Sequence, residues 1–481
     1  MNKTIFIGLL DFEKAYDFTN RAILIEDLLG RGIGKRFADA IYSMYSNTSY
    51  TPKISKNLIG QPITTEFGVT QGRKSSGNLY AFSISDIPKS VHNNDPSDFM
   101  DPYCMAQLAD DTSVTSESHT SKRNKFQKII SSSDKKHQHV NTDKTKYMHM
   151  SHDPTTTPII LDDGRKIDAV ERSDGYDFIG FRLSYTNDIY ELIDNNLKSK
   201  TFNVAKFYAW LEYNETTPFI IKAKVLYACM FAALLYSTEA WGDLSRIEQS
   251  LLSIERKALK SCLGVKSGTS NDLVYHEINQ ADIISTIKDR QYRFGEKIKK
   301  LGKDEALAKE IWDLCVIRGE PTGLRRYYEN IQDNNRTKNI EERKSKIENS
   351  NETMCNRYKL ICGTGMSDIL YKNYIDDNKR KTITRWRLSS HKLKIETGRY
   401  TRPYTERKDR LCHICDVIED EIHAIYTCSA HNTIRETYKH IVNLNDQNIQ
   451  QLLNPTNVTD AINVASFLEE IENNMSDLDM I

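Results

Sequence analysis

An α+β fold follows from three features of the sequence. Residues 1–185 interleave short strand-like runs with helical patterns. From about residue 195 onward, long charged helix-formers such as SRIEQSLLSIERKALKSCL dominate, with little Gly or Pro. A Cys/His-dense run, CHICDVIEDEIHAIYTC (412–428), reads as a small module of its own. The 481 residues allow roughly two to four domains.

Taken in order, KTIFIGLLDF (3–12) alternates like a half-buried strand and ends at Asp11. Thr19-Asn20 supply an N-cap for a helix over RAILIEDLL, which Gly30 and Gly32 stop. KRFADAIYSMY (35–45) has the spacing of a second helix. Further strand-like pieces are SYTPKISKN, YCMAQLA, TKYMHMS and TTTPIIL. Asp163-Gly164 marks a tight turn, and YDFIGFRL (176–183) reads as one more strand. Residues 116–139 are poor in apolar side chains and predict an exposed helix; residues 331–353, rich in Asn, Glu, Lys and Arg, predict a solvated helix or linker.

A hydrophobic content of 39% and a charged fraction of 27% place the chain outside the membrane and fully disordered classes. Lys plus Arg and Asp plus Glu both number 66, so only local charge can point to a partner. The nine cysteines are an odd count, and the apolar run Ile5–Leu10 is too short for a secretory signal. Reduced thiols and an intracellular location, nucleus and/or cytoplasm, are the expectation. The longest apolar stretch, VLYACMFAALLY (225–236), falls short of the roughly 20 residues that span a bilayer. It predicts a buried helix and no membrane partner.

Two carboxylate groups stand apart. Asp11 closes one strand, and Asp110-Asp111 close another about a hundred residues later. Adjacent acids alone are compatible with a solvated turn. The motifs around them add an order: LLDFEKAYD (9–17), GVTQGRKSSGNLYAFSISDIP (68–88), LADD (108–111), NTDKTK (141–146) and DFIGFRL (177–183). In that sequence they resemble motifs A to E of the reverse transcriptases of non-LTR (LINE-type) retrotransposons. LLYSTEAWG (234–242) and IERKALKSCLGVKSGTSNDLVYHEI (254–278) continue the resemblance into the thumb.

The resemblance implies a polymerase right-hand palm without fingers over 1–185 and a helical thumb and connection over 186–300. A helical, partly solvated linker (301–375), a basic segment with a CCHC zinc-knuckle-like module (376–435) and an acidic tail (436–481) follow. It also implies an RNA-directed DNA polymerase acting on an RNA template, a DNA primer and deoxynucleoside triphosphates. Asp11, Asp110 and Asp111 would hold two Mg²⁺, a hard ion that takes oxygen ligands; two such ions activate the attacking hydroxyl and stabilise the leaving oxygen. The backbone at Phe12 would touch the triphosphate, and Tyr16 would crowd the sugar 2′ position. Gln71-Gly72 would form the turn that places nucleotide and template, with Arg73 and Lys74 offering charge near the phosphates. Lys144 would protonate the departing pyrophosphate as a general acid, while Asn141 and Asp17 are expected to be structural.

The C-terminal run spaces Cys412-x₂-Cys415-x₇-His423-x₄-Cys428, four ligands suited to one tetrahedral Zn²⁺. His413 and His431 fall off that spacing. Upstream, residues 379–410 hold twelve cations against three carboxylates, a local balance of +9. Arg385, Trp386, Arg387, Lys392, Lys394, Arg399, Tyr400 and Arg402 are the expected nucleic-acid contacts, cations for phosphates and aromatics for bases. This supports an alternative function, a non-catalytic nucleic-acid-binding protein acting through the basic and zinc module.

The sequence also departs from the family. The fingers expected before motif A, and an endonuclease, have no counterpart, so the expectation is a 5′-truncated copy or incomplete gene model. Positioning supplies roughly 7–11 kcal/mol of such a barrier, so weak or no activity is expected of the carboxylates alone. Leu108 stands in place of the usual aromatic before Ala-Asp-Asp, and QGRKSSGNLY replaces the commoner Ser-Pro form of motif B.

Overall fold

The computed structural model describes residues 5–53, 55, 58–91, 104–150, 157–185, 189–302, 309, 331–363 and 365–478. The chain divides into two compact units, Met1–Leu192 and Ile193–Ile481. Of the expected 301–375 linker, residues 303–308, 310–330 and 364 lie outside the described residues.

The first unit runs β1 (Ile5–Leu10), α1 (Arg21–Gly30), α2 (Lys35–Tyr45), β2 (Ser49–Tyr50), β3 (Ile63–Thr64), α3 (Ser76–Ile84) and α4 (Ile87–Val91). It continues with β4 (Met105–Leu108), β5 (Asp111–Ser116), α5 (His119–Lys135), β6 (Lys146–Met150), β7 (Ile159–Ile160), β8 (Lys166–Ala169), β9 (Tyr176–Phe178) and β10 (Phe181–Leu183). Its main sheet has the order β4-β5-β1-β6-β8-β7, with β1 antiparallel to both neighbours. Alternation along β1 explains that central place. Phe6 and Leu10 enter the core shared with α1, α3 and α5, while Leu9, with Ile7 beside it, packs on the opposite face with Met148.

Local signals set the helix boundaries. Asn20 caps α1, its Oδ1 accepting the Ala22 and Ile23 N–H groups at 3.0 and 3.2 Å. Three sequence expectations need correction. YDFIGFRL is a hairpin, β9 and β10, because Ile179 and Gly180 both take positive φ and reverse the chain. Among its described residues SYTPKISKN keeps only two in a strand, Ser49 and Tyr50. The helix in 116–139, α5, is docked: Phe126, Ile129 and Ile130 are fully buried, and the Lys122 Nζ lies 3.7 Å from the centre of the Tyr147 ring. A narrow apolar stripe suffices when lysine stems and cation–π contacts flank it.

The second unit is helical. VLYACMFAALLY forms part of a helix that begins at Phe219 and passes through a π-helical turn, Leu226–Phe231. Helix Asn335–Asn349 buries Arg343 and Ile347, so this part of 331–353 is a docked helix and no linker. The acidic residues of the C-terminus likewise hide a packed helix, Val458–Leu478. Ala461, Val464, Ala465, Leu468 and Ile471 recur at helical spacing and are all buried.

Helix Asp377–Arg387 is the unit's interior post. Asp377 takes Lys222 at 2.5 Å, Arg380 at 2.9 Å and Lys381 at 2.9 Å. Arg387 pairs with Glu277 at 2.5 Å, and the Tyr358 and Tyr371 hydroxyls donate to the same carboxylate at 2.6 Å. Buried charges persist only with partners of this kind.

Candidate functional site

The carboxylates sit where β1 and the β4–β5 hairpin end together. Leu10 opposes Thr112, so the next step of the register sets Asp11 across from Asp111. Leu108 pairs with Asp111, which leaves Ala109 and Asp110 as a two-residue turn. Ala109 holds φ +54°, a left-handed conformation that costs a non-glycine residue about 1–2 kcal/mol. The Asp11 N–H donates to Thr145 Oγ1 at 3.2 Å, and its C=O accepts the Asn141 N–H at 2.8 Å.

Lys144 reaches the same corner, its Nζ 3.7 Å from Asp11 Oδ2. Asn141 shapes the turn that delivers it, Oδ1 accepting the Asp143 and Lys144 N–H groups at 3.1 and 3.2 Å. Tyr176 donates to the Lys144 C=O at 2.9 Å. Burial pushes the Asp11 carboxyl up; Lys144 pulls it down and Asp110 pushes it up again. Asp111 is pushed up by burial, then by Asp110 and Asp11. Three acids thus share one electrostatic field.

The other predicted substrate residues surround this corner unevenly. Phe12 is buried and bridges Val140. The flanking hydrogen bonds, Asn141 to Asp11 and Glu13 to His139, turn the Phe12 N–H and C=O away from Val140. Tyr16 stacks on Tyr80 with ring centres 5.0 Å apart. Gln71, Gly72 and Arg73 are exposed in the loop before α3. Gly72 is required for its φ of +83°, since a Cβ there would meet nothing within 4 Å.

Two positioning residues escaped the sequence reasoning. Arg21, buried at the start of α1, donates to the carbonyls of Gly68 (2.8 Å), Tyr45 (3.0 Å), Thr65 (2.6 Å) and Phe67 (2.8 Å). It ties down the segment leading to Gln71. Its one sequence signal is an arginine on an otherwise apolar helix face. Tyr80 is fully buried, its hydroxyl pushed up by burial and by Asp110.

In the second unit, Cys412, Cys415, His423 and Cys428 converge, their ligand atoms all within 4.8 Å of one another. Among the described residues it is this group that closes on a point. The Cys412–Cys428 and Cys415–Cys428 sulfurs lie 3.8 and 3.9 Å apart. Sulfurs about 2.3 Å from a tetrahedral zinc stand about 3.8 Å apart, whereas a disulfide needs about 2.05 Å. His423 Nδ1 meets Thr427 Oγ1 at 3.0 Å, while the buried Nε2 has no hydrogen-bond partner, as a metal ligand should. A bridge between Leu411 and Ile418 closes the loop carrying the first two cysteines. Burial pushes the Cys428 thiol up to about 12; the Ser429 hydroxyl draws Cys415 down.

The basic segment is partly internal, which corrects part of the expected nucleic-acid surface. Trp386 and Arg387 are completely buried, Trp386 donating to Glu472 at 2.9 Å. Arg385 is half-buried and donates to Thr382 at 3.1 Å. Lys394 is turned to the Leu411 C=O at 3.1 Å, and Arg399 lies 3.4 Å from Glu396. Lys392, Tyr400 and Arg402 are exposed, with Tyr404, Arg407 and Lys408 beside them in sequence. Three of the run's cations, Arg380, Lys381 and Arg387, are there to pair with the buried acids Asp377 and Glu277.

No helix among the described residues is long and apolar enough to cross a membrane. No curated protein matches the chain. Over residues 2–183, nearly the whole first unit, the chain matches the family model described as reverse transcriptase (RNA-dependent DNA polymerase).

Proposed function

We propose that the first unit is a palm of LINE-type origin that extends a DNA primer on an RNA template by two-metal nucleotidyl transfer. The observation that carries this is the β1–β5 register, which sets Asp11 across from Asp111 with Asp110 in the adjoining turn. Asp11, Asp110 and Asp111 would hold two Mg²⁺, which supply Lewis-acid activation of the attacking hydroxyl and of the leaving oxygen. Lys144, already beside Asp11, is the proton donor for pyrophosphate. The outward-turned Phe12 backbone and the Gln71–Arg73 loop receive the triphosphate, and Tyr16, braced by Tyr80, limits space at the sugar.

Activity is expected to be weak. Among the described residues, Lys144 is the cation in ion-pair reach of these aspartates, little charge against a triphosphate. Primer extension on an RNA template with Mg²⁺ tests the proposal. Low but measurable synthesis should disappear in Asp110→Ala; synthesis that survives this substitution would refute the site.

A second role rests on the exposed Lys392, Tyr400, Arg402, Tyr404, Arg407 and Lys408: nucleic-acid binding beside a zinc-loaded Cys₃His module. Zinc fits the sulfur spacing and the orphaned His423 Nε2. If binding alone is the function, Asp110→Ala leaves it whole and Arg402→Ala with Arg407→Ala weakens it.

A further inference from the structure

The Cys₃His cluster has a surround of its own. Cys428 starts a turn, 428–431, that leads into helix Asn432–Thr437. Arg435 on that helix is buried, and its guanidinium donates to the Cys428 C=O at 2.5 Å, to the Ile425 C=O at 3.5 Å and to Asn432 Oδ1. Asn474, on helix Val458–Leu478, reaches the same turn. Its Nδ2 donates to the Ala430 C=O at 2.9 Å and lies 3.0 Å from His431 Nδ1. The last ligand's turn is therefore held by residues of two different helices.

Charge gives Arg435 a second task. Three thiolates and a neutral imidazole around Zn²⁺ carry a net charge of −1, in a site where Cys412 and Cys428 are buried. An uncompensated buried charge is costly. Arg435 is the buried cation bonded to the ligand turn.

We propose that Arg435 and Asn474 are positioning residues of the Cys₃His centre, so that the C-terminal helix forms part of the metal's outer shell. This rests on the zinc assignment above. Metal affinity and the seating of helix Val458–Leu478 are then coupled, and the centre acts as a clasp of the second unit.

The test uses the full chain, with Zn²⁺ titrated against a chromogenic chelator. Wild type should hold one zinc. Arg435→Met and Asn474→Ala should each weaken zinc binding about 10–100-fold, the usual effect of losing an outer-shell partner. Arg435→Lys keeps the charge and should recover most of the loss, which a purely packing role would not allow. Loaded with Co²⁺, both weakened variants should keep the thiolate-to-cobalt absorption of wild type, because the ligands are unchanged. Should Arg435→Met fail to fold, Asn474→Ala, at a half-exposed position, still decides. A wild type that holds zinc with variants unchanged in affinity overturns the coupling alone. A wild type that holds none overturns the zinc assignment with it.

Discussion

Glu255 shows how far a single side chain can be moved by its surroundings. Burial pushes its carboxyl from 4.5 up to about 7, although it accepts from the Tyr275 hydroxyl at 2.6 Å and the Ile283 N–H at 2.8 Å. A raised folded value means the folded state holds the proton more tightly, so the stabilisation is full below about 4.5 and is lost as pH rises through about 7. Glu255→Gln should therefore raise the Tm at about pH 8 and change little at about pH 4; an unchanged Tm at the higher pH contradicts this. Asp111 belongs to the same class, raised by burial and by its two acidic neighbours. In chelator, Asp111→Asn should raise the Tm by about 1–3 °C, and Mg²⁺ should remove the advantage by stabilising wild type. Thermal scans with and without Mg²⁺ check it.

Among the elements, β1 is where packing leaves least freedom. A Cβ on Gly8 would lie 2.5 Å from Phe126 Cζ and 2.7 Å from Val114 Cγ1. Both neighbours are buried, so Gly8→Ala should cost about 1–3 kcal/mol as overpacking, measurable by urea unfolding and eased by adding Phe126→Leu. The sequence shows Gly8 as an interruption of an apolar run; its purpose appears only when α5 crosses that strand. The same holds for α5 itself, whose composition looks solvated until Phe126, Ile129 and Ile130 are seen on one face. Local signals did better where the cause is local. The Asn20 cap and the Asp163-Gly164 turn (Gly164 φ +85°) need no distant partner. Ile179-Gly180 was missed because a β-branched residue disfavours the positive φ that the hairpin demands.

At the scale of the whole molecule, the basic segment 376–435 is no independent module. Arg380, Trp386 and Arg387 are sealed by Leu263, Glu472 and Glu277, all outside those limits. Cut out alone, that fragment should lack a folded helix Asp377–Arg387, seen as collapsed amide dispersion in its NMR spectrum; a well-dispersed spectrum would show that it folds unaided. In the first unit, nine of eleven exposed large apolar side chains among the described residues fall between Leu29 and Phe67. The sequence by itself determined the α+β class, the carboxylate order, the Cys₃His spacing and the Asn20 cap. Those depend on neighbours a few residues away, or on an order of chemically demanding motifs. Tertiary structure alone decided which cations face solvent, that the acidic C-terminus is a core helix, and that Arg21 anchors the loop before Gln71. Each of these turns on burial by residues far along the chain, and charge in a sequence looks the same whether its partner is water or a buried acid.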